Sequence, residues 1–272
     1  MWRYLTNDKL YLRNTYIILF VLMLVCFGCE WHLRPSENDL EKAVSVQRYD
    51  RMEALYLTTG DVAALHQMNT DYPQQTRTLI EDMLQLGHVN DSDINTRFLL
   101  FFQDTTLQEL IADVKHQYAD MSDIDEQLSS AFSKISEMLP DLPLPMIYAQ
   151  IGSLDQSIVV SDGALGISLD KYLGSDYHIY KKYGYSDRQR LSMTRSFIVP
   201  DCLGFYLLSL YPFHSSWENS REMRDMHMGR IQHVVNCAMG RKFFKNEFVN
   251  NAEQQMSHTP GMTYKQLLEG VE

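Results

Sequence analysis

From Asn38 onward, apolar residues recur at helical spacing. Leu40, Val44, Tyr49, Met52 and Leu55 predict a helix running to about Thr58, with Gly60 ending it. A second helical stretch covers Ala63–Gln67 and Gln74–Leu86. Pro73 sits at a first-turn position and Gly87 supplies the stop. Thr96–Phe102 reads as a short buried helix or turn. The clearest stripes follow. Leu107, Leu110, Ile111, Val114 and Tyr118 share one helix face, and Leu128, Phe132, Ile135, Met138 and Leu139 share another. Asp123 with Glu126 predicts a capping box at the start of the second, and Pro140, Pro143 and Pro145 end it.

The period then changes. Met146–Ile151 and Ser157–Ile167 are rich in strand formers, with Gly152–Gln156 between them, which predicts an antiparallel hairpin. Gly163 and Gly166 predict a bulge or bend in its second strand. A segment dense in tyrosine, Tyr172 to Tyr185, comes next. Helices return at about Asp187–Phe197, Asp201–Leu210 and Arg221–Phe244, with a last amphipathic piece at Thr263–Leu268. The expected fold class is α+β and predominantly α-helical, with one small antiparallel hairpin or sheet.

The N-terminus obeys a different pattern. Arg3, Lys9 and Arg13 precede an apolar run from Ile17 to Cys29 that is 13 residues long. A spanning helix needs roughly 20, so the run reads as a signal peptide. Gly28 is the small residue before the cut, and Cys29 carries the thiol for a lipid. Cys26 stands where such signals usually carry Leu. The alternative is an uncleaved, tilted anchor. The expected organisation is a signal peptide over 1–28, a tether over 29–38 beginning with lipidated Cys29, and one helical domain over 39–272. The N-terminal lipid would hold that domain on a membrane outside the cytoplasm.

Charge narrows the partners. The chain of 272 residues carries −11; residues 1–28 contribute +2, leaving −13 on the remaining 244. That surface repels phosphate backbones, and nucleic-acid binding is not expected. The histidines, His32, His66, His88, His116, His178, His214, His227, His233 and His258, form no HExxH pair, which would place two imidazoles on one helix face with a carboxylate base between them. GxSxG, Walker and GxGxxG motifs are also absent, so no catalytic residue, metal or cofactor is expected. Cys202 and Cys237 are left either to pair or to stay as separate thiols. The tyrosine cluster reads either as a sugar or peptide platform or, preferably, as a corner where aromatic bodies pack and hydroxyls reach water. Asp170 is either a functional carboxylate or a cap on the turn after it. Asp201, after Pro200, reads as a helix N-cap.

Several segments, in order, carry a family resemblance: Val46-Gln47-Arg48-Tyr49-Asp50, the Phe98–Phe102 run followed by Asp104, Ala131-Phe132 leading to Pro140, Ile198-Val199-Pro200-Asp201, and Gly240-Arg241-Lys242. The most specific is Ala164-Leu165-Gly166-Ile167-Ser168-Leu169-Asp170-Lys171-Tyr172-Leu173-Gly174-Ser175-Asp176-Tyr177. Over about Val46–Lys242 the chain resembles the gliding motility lipoprotein B (GldB-like) family of Bacteroidetes, which carries an I-x-L-D-x-Y-L-G-x-D-Y segment there. The resemblance marks Asp170, Tyr172, Leu173, Gly174, Asp176, Tyr177 and Asp201 as family-motif residues.

The resemblance implies a cell-envelope lipoprotein, with a palmitate-type anchor, associated with gliding motility or its secretion machinery in gliding relatives. It also implies likeness to zincin-like metallopeptidases in which a hairpin precedes an HExxH helix and a later helix supplies a Glu. Here those helices read Ile198-Val199-Pro200-Asp201-Cys202-Leu203-Gly204 and Asn236-Cys237-Ala238-Met239-Gly240-Arg241, with no ligand in either place, so a zincin-like scaffold without its metal site is expected. The family is expected to continue beyond Glu272. Surface export in this phylum goes with an acidic run after the cysteine; Glu30-Trp31-His32-Leu33-Arg34 has a single acid, so a periplasm-facing position is expected. The leading expectation is a non-catalytic structural or interaction component with an envelope protein partner. The rivals are a divergent hydrolase using Asp170 or Asp176, and a glycan- or peptide-binding module using the tyrosine segment.

Overall fold

The computed structural model describes residues 44–214 and 220–270. The signal peptide, Cys29, the tether and the expected helix start at Asn38 lie outside the described residues.

The described chain opens as a strand. Val44 and Val46 are buried while Ser45 and Gln47 face out, a period of two. β1 (Val46–Gln47) therefore precedes α1 (Tyr49–Thr59), and the helix begins later than its apolar spacing predicts. Gly60 does end it, in the left-handed region at φ 70°. α2 (Val62–Asp71) is capped by Asp61, whose carboxylate accepts from the N–H groups of Ala63 and Ala64. Pro73 opens α3 (Pro73–Arg77), which widens into a π-turn over Thr78–Met83. α4 (Ile94–Phe101), α5 (Thr105–Gln117) and α6 (Ser122–Met138) follow. The two stripes read from the sequence are buried on α5 and α6, Met138 only partly. The Asp123–Glu126 capping box does not form. Asp120 accepts from the Ser122 N–H at 2.9 Å, and Asp123 is turned instead to the Arg195 guanidinium, at 3.0 and 2.5 Å.

The sheet is mixed, with order β1-β2-β4-β3. β2 (Met146–Gln150) runs parallel to β1 and to β4 (Ala164–Ser168), and β3 (Ile158–Ser161) is antiparallel to β4. The expected hairpin between Met146–Ile151 and Ser157–Ile167 is thus corrected: those runs pair in parallel, and the second run is itself the hairpin. Its turn is Asp162-Gly163, both at positive φ (45° and 78°), as a two-residue hairpin turn requires. Gly166 makes no bulge. It pairs with Tyr148, and a Cβ there would stand 2.6 Å from the tyrosine Oη. β2 and β4 read as unbroken apolar runs because central parallel strands are buried on both faces.

After β4 a 3₁₀ turn (Leu169–Tyr172) leads to α7 (His178–Lys182) and α8 (Asp187–Arg190). The long helix expected over Asp187–Phe197 is broken because Thr194 pairs with Leu173 in an antiparallel bridge. A 3₁₀ turn (Arg195–Phe197) then enters α9 (Ile198–Leu210), which packs on β3, β4 and α6. α10 (Arg221–Met239) stops at Gly240 (φ 64°) rather than at Phe244. α11 (Glu247–His258), not expected from the sequence, packs along α10 where Gly229 has room only for hydrogen against Phe248. α12 (Tyr264–Glu269) closes the chain behind a Thr263–Gln266 capping box. Val44 onward forms one compact unit. The predominantly helical α+β class expected from the sequence is observed.

Candidate functional site

The motif Ala164–Tyr177 runs from the middle of the sheet out to α7, and its polar atoms fall into two groups. The first centres on Asp170. The loop after β2 turns through Ser153 and Leu154, both at positive φ, which points successive N–H groups the same way. Asp170 is fully buried, and its carboxylate fills that concavity. Oδ1 accepts from the Gly152 N–H at 2.7 Å and Oδ2 from the Leu154 N–H at 2.6 Å. Asp170 therefore caps the loop before it, not the turn after it. Burial pushes its pKa up, while those N–H donors and Lys171 pull it down.

Neighbouring residues complete the weave. The Lys171 ammonium donates to the carbonyls of Leu154 and Asp155 and to Tyr185 Oη at 3.3, 3.4 and 2.8 Å, and it lies over the Tyr185 ring. Tyr180 Oη donates to the Asp170 carbonyl at 2.6 Å and accepts from the Leu173 N–H at 2.8 Å. Tyr118 Oη donates to the Tyr172 carbonyl at 2.6 Å, and Tyr177 Oη to Asp113 at 2.7 Å. The tyrosine corner exists, but these hydroxyls are bound to protein rather than turned to water. Gly174, at φ 122°, donates to the Met193 carbonyl across the bridge beside Leu173. Asp176 lies at the other extreme, 94% exposed, at 3.8 Å from Lys181 and 3.9 Å from Arg190. The structure does not unite Asp170 and Asp176: one is sealed under a loop, the other stands in solvent.

The second group centres on Asp201. It lies inside the first turn of α9, whose N-cap is Phe197, so it is not the cap expected from the Pro200-Asp201 spacing. Its Oδ2 accepts from Tyr172 Oη at 2.9 Å. Burial pushes its pKa up to about 7, the phenol alone pulling the other way. It faces a cavity of about 200 Å³ that also exposes Ser157, Tyr185, Gln189 and Ser192. Tyr185 is shared with a wider, shallower hollow bordered by Asp176, Lys181 and Arg190. Sequence reasoning found Tyr172 and Asp201 separately but not their meeting. They are 29 residues apart and join only because the 3₁₀ turn after β4 lies beside the start of α9.

Two further acids, Asp50 and Glu53, are buried on α1, and Glu53 escaped the sequence reading. Glu53, on α1, is fully buried and accepts from the Ile151 N–H at 2.8 Å, and burial raises its pKa well above the usual carboxylate range. A Glu at an internal position of an amphipathic helix was the available signal. Among the described residues no group of three His, Cys, Asp or Glu is placed to hold a metal ion. His227 Nε2 lies 2.7 Å from the Tyr211 carbonyl, His233 lies 3.7 Å from Cys237, and His178 pairs with Glu109. Cys202 and Cys237 are free thiols.

The polar groups of this α+β domain's most distinctive segment are thus mostly held by protein partners, beside a small cavity at Asp201. Residues 30–257 match the family model described as gliding motility protein GldB, and the chain belongs to that family. Comparison with curated proteins and with solved structures returns no match.

Proposed function

We propose that the protein is an envelope lipoprotein of the gliding-motility type, held by a lipid on Cys29, facing the periplasm and acting without turnover as a structural or interaction component. The observation that carries the reading is the start of the family match at residue 30, directly after Cys29, which leaves the apolar run outside the shared domain. The charge and apolar pattern of residues 1–28 supports the same division. No helix among the described residues is long and apolar enough to cross a membrane. The non-catalytic part rests on how the motif spends its groups: Asp170 and the Lys171 ammonium are committed to backbone partners.

Metabolic labelling with a palmitate analogue tests the anchor. Wild type takes the label; Cys29→Ser loses it and accumulates the longer precursor. Label retained by Cys29→Ser overturns the assignment. Incubation with casein, with and without chelator, tests the absence of turnover. No cleavage is expected, and chelator-sensitive cleavage lost in His227→Ala or His233→Ala would restore a peptidase reading.

A further inference from the structure

The cavity at Asp201 has a chemical bias that its partners make readable. Tyr172 spends its hydroxyl hydrogen on Asp201 Oδ2, Tyr185 spends its own on the Leu154 carbonyl at 2.6 Å, and Ser192 donates to the Gln189 carbonyl at 3.2 Å. Lys171 also borders the cavity, but its three hydrogens go to Leu154, Asp155 and Tyr185. The polar groups of the wall therefore turn mainly lone pairs inward, against which stands the Gln189 amide, while the Ser157 hydroxyl is hydrogen-bonded to Tyr172. Asp201 Oδ1 receives no hydrogen bond, and no ion pair reaches the residue, among the described residues. Asp201 is partly buried, and a carboxylate that has lost part of its hydration gains from a countercharge that a neutral phenol does not supply.

From this geometry we infer that the Asp201 cavity is a binding site for a primary ammonium group, with Asp201 Oδ1 as the charged acceptor and the Ser192 hydroxyl oxygen as its neighbour. An ammonium carries three donors and the missing positive charge. The cavity opens at the surface, and a wider hollow shares Tyr185 with it. The assignment is independent of the membrane anchor. The source that fits a narrow cavity is a lysine side chain of a partner polypeptide, whose unbranched stem carries the ammonium inward.

The test uses the full chain in detergent micelles and ligand-observed saturation-transfer NMR. The probes are n-butylammonium, n-butanol and butyrate. Butylammonium is expected to bind while butanol and butyrate do not. Asp201→Asn should weaken binding by about tenfold or more. Ser192→Trp, which plugs the cavity from its rim, should abolish binding even if the first variant misfolds. Nα-acetyl-lysine methylamide is expected to bind more tightly than glucosamine, and the reverse order overturns the lysine assignment. Equal binding of butanol, binding of butyrate, binding of the amine indifferent to both substitutions, or no binding of any amine overturns the inference.

Discussion

Asp170 is fully buried and Asp201 only partly so, and their carboxyls are held in opposite ways. Around Asp170 each oxygen is held by a backbone N–H. Around Asp201 one oxygen is held by a phenol, and the other faces a cavity. The difference separates scaffold from site. A satisfied buried acid specifies a loop conformation and is costly to remove, whereas a partly shielded one with an oxygen on a cavity keeps an acceptor for a ligand.

The largest effects should fall on the scaffold side. Asp170→Ala orphans two buried N–H groups on a loop already at positive φ, and should cost about 3–5 kcal/mol in urea unfolding. Asp170→Asn, which keeps one acceptor oxygen, should cost less. A loss under about 1 kcal/mol for the alanine variant would erase the contrast with Asp201. Phe132→Ala is a gauge of similar size from pure packing: the ring is buried against Tyr206 of α9, 6.0 Å between centroids, and its removal should cost about 3–5 kcal/mol.

Gly166→Ala should come next. The new Cβ meets the Tyr148 hydroxyl in the centre of the sheet, and overpacking of this kind costs about 1–3 kcal/mol. A neutral result would mean that Tyr148 swings away freely, and that the motif glycine is not there to seat it.

These positions also show how much was legible beforehand. The helical stripes at Leu107–Tyr118 and Leu128–Leu139 were readable because amphipathic periodicity directly reports a buried face. The strands within Met146–Ile151 and Ser157–Ile167 were readable from their β-rich composition, but their pairing was not, because the Asp162-Gly163 turn splits the second run into two strands. The motif's importance was legible in Asp170, Tyr172 and Asp201 as residue types. Their partners were not: Asp170 reaches back to Gly152 and Leu154, and Tyr172 reaches forward to Asp201, contacts set by chain crossing rather than spacing. α11 was missed although Val249 and Ala252 lie on one face behind an Asn246 cap, because polar residues fill the rest of it.

At low pH the smallest effect on stability should be at Asp201, and it should grow as pH rises. The folded pKa is raised to about 7, above the ordinary carboxylate range of the unfolded chain, so the native state holds a proton that the unfolded state has released. The contribution of this group is complete at low pH and is lost as pH rises from about 4 to about 7. Asp201→Asn, a fixed mimic of the protonated acid, should match wild type within about 1 kcal/mol at pH 4 and gain on it as pH rises through that window. A variant that loses ground as pH rises would mean that Asp201 is stabilised in its charged form by a countercharge within the protein.

The most direct measurement is the titration of the Asp201 side-chain carboxyl carbon by ¹³C NMR in the full chain, first free and then with saturating n-butylammonium. The account predicts a midpoint near 7 for the free protein, absent from Asp201→Asn, that moves down when the amine supplies the positive charge. A free midpoint in the ordinary carboxylate range, or one near 7 that the amine leaves unmoved, would contradict it.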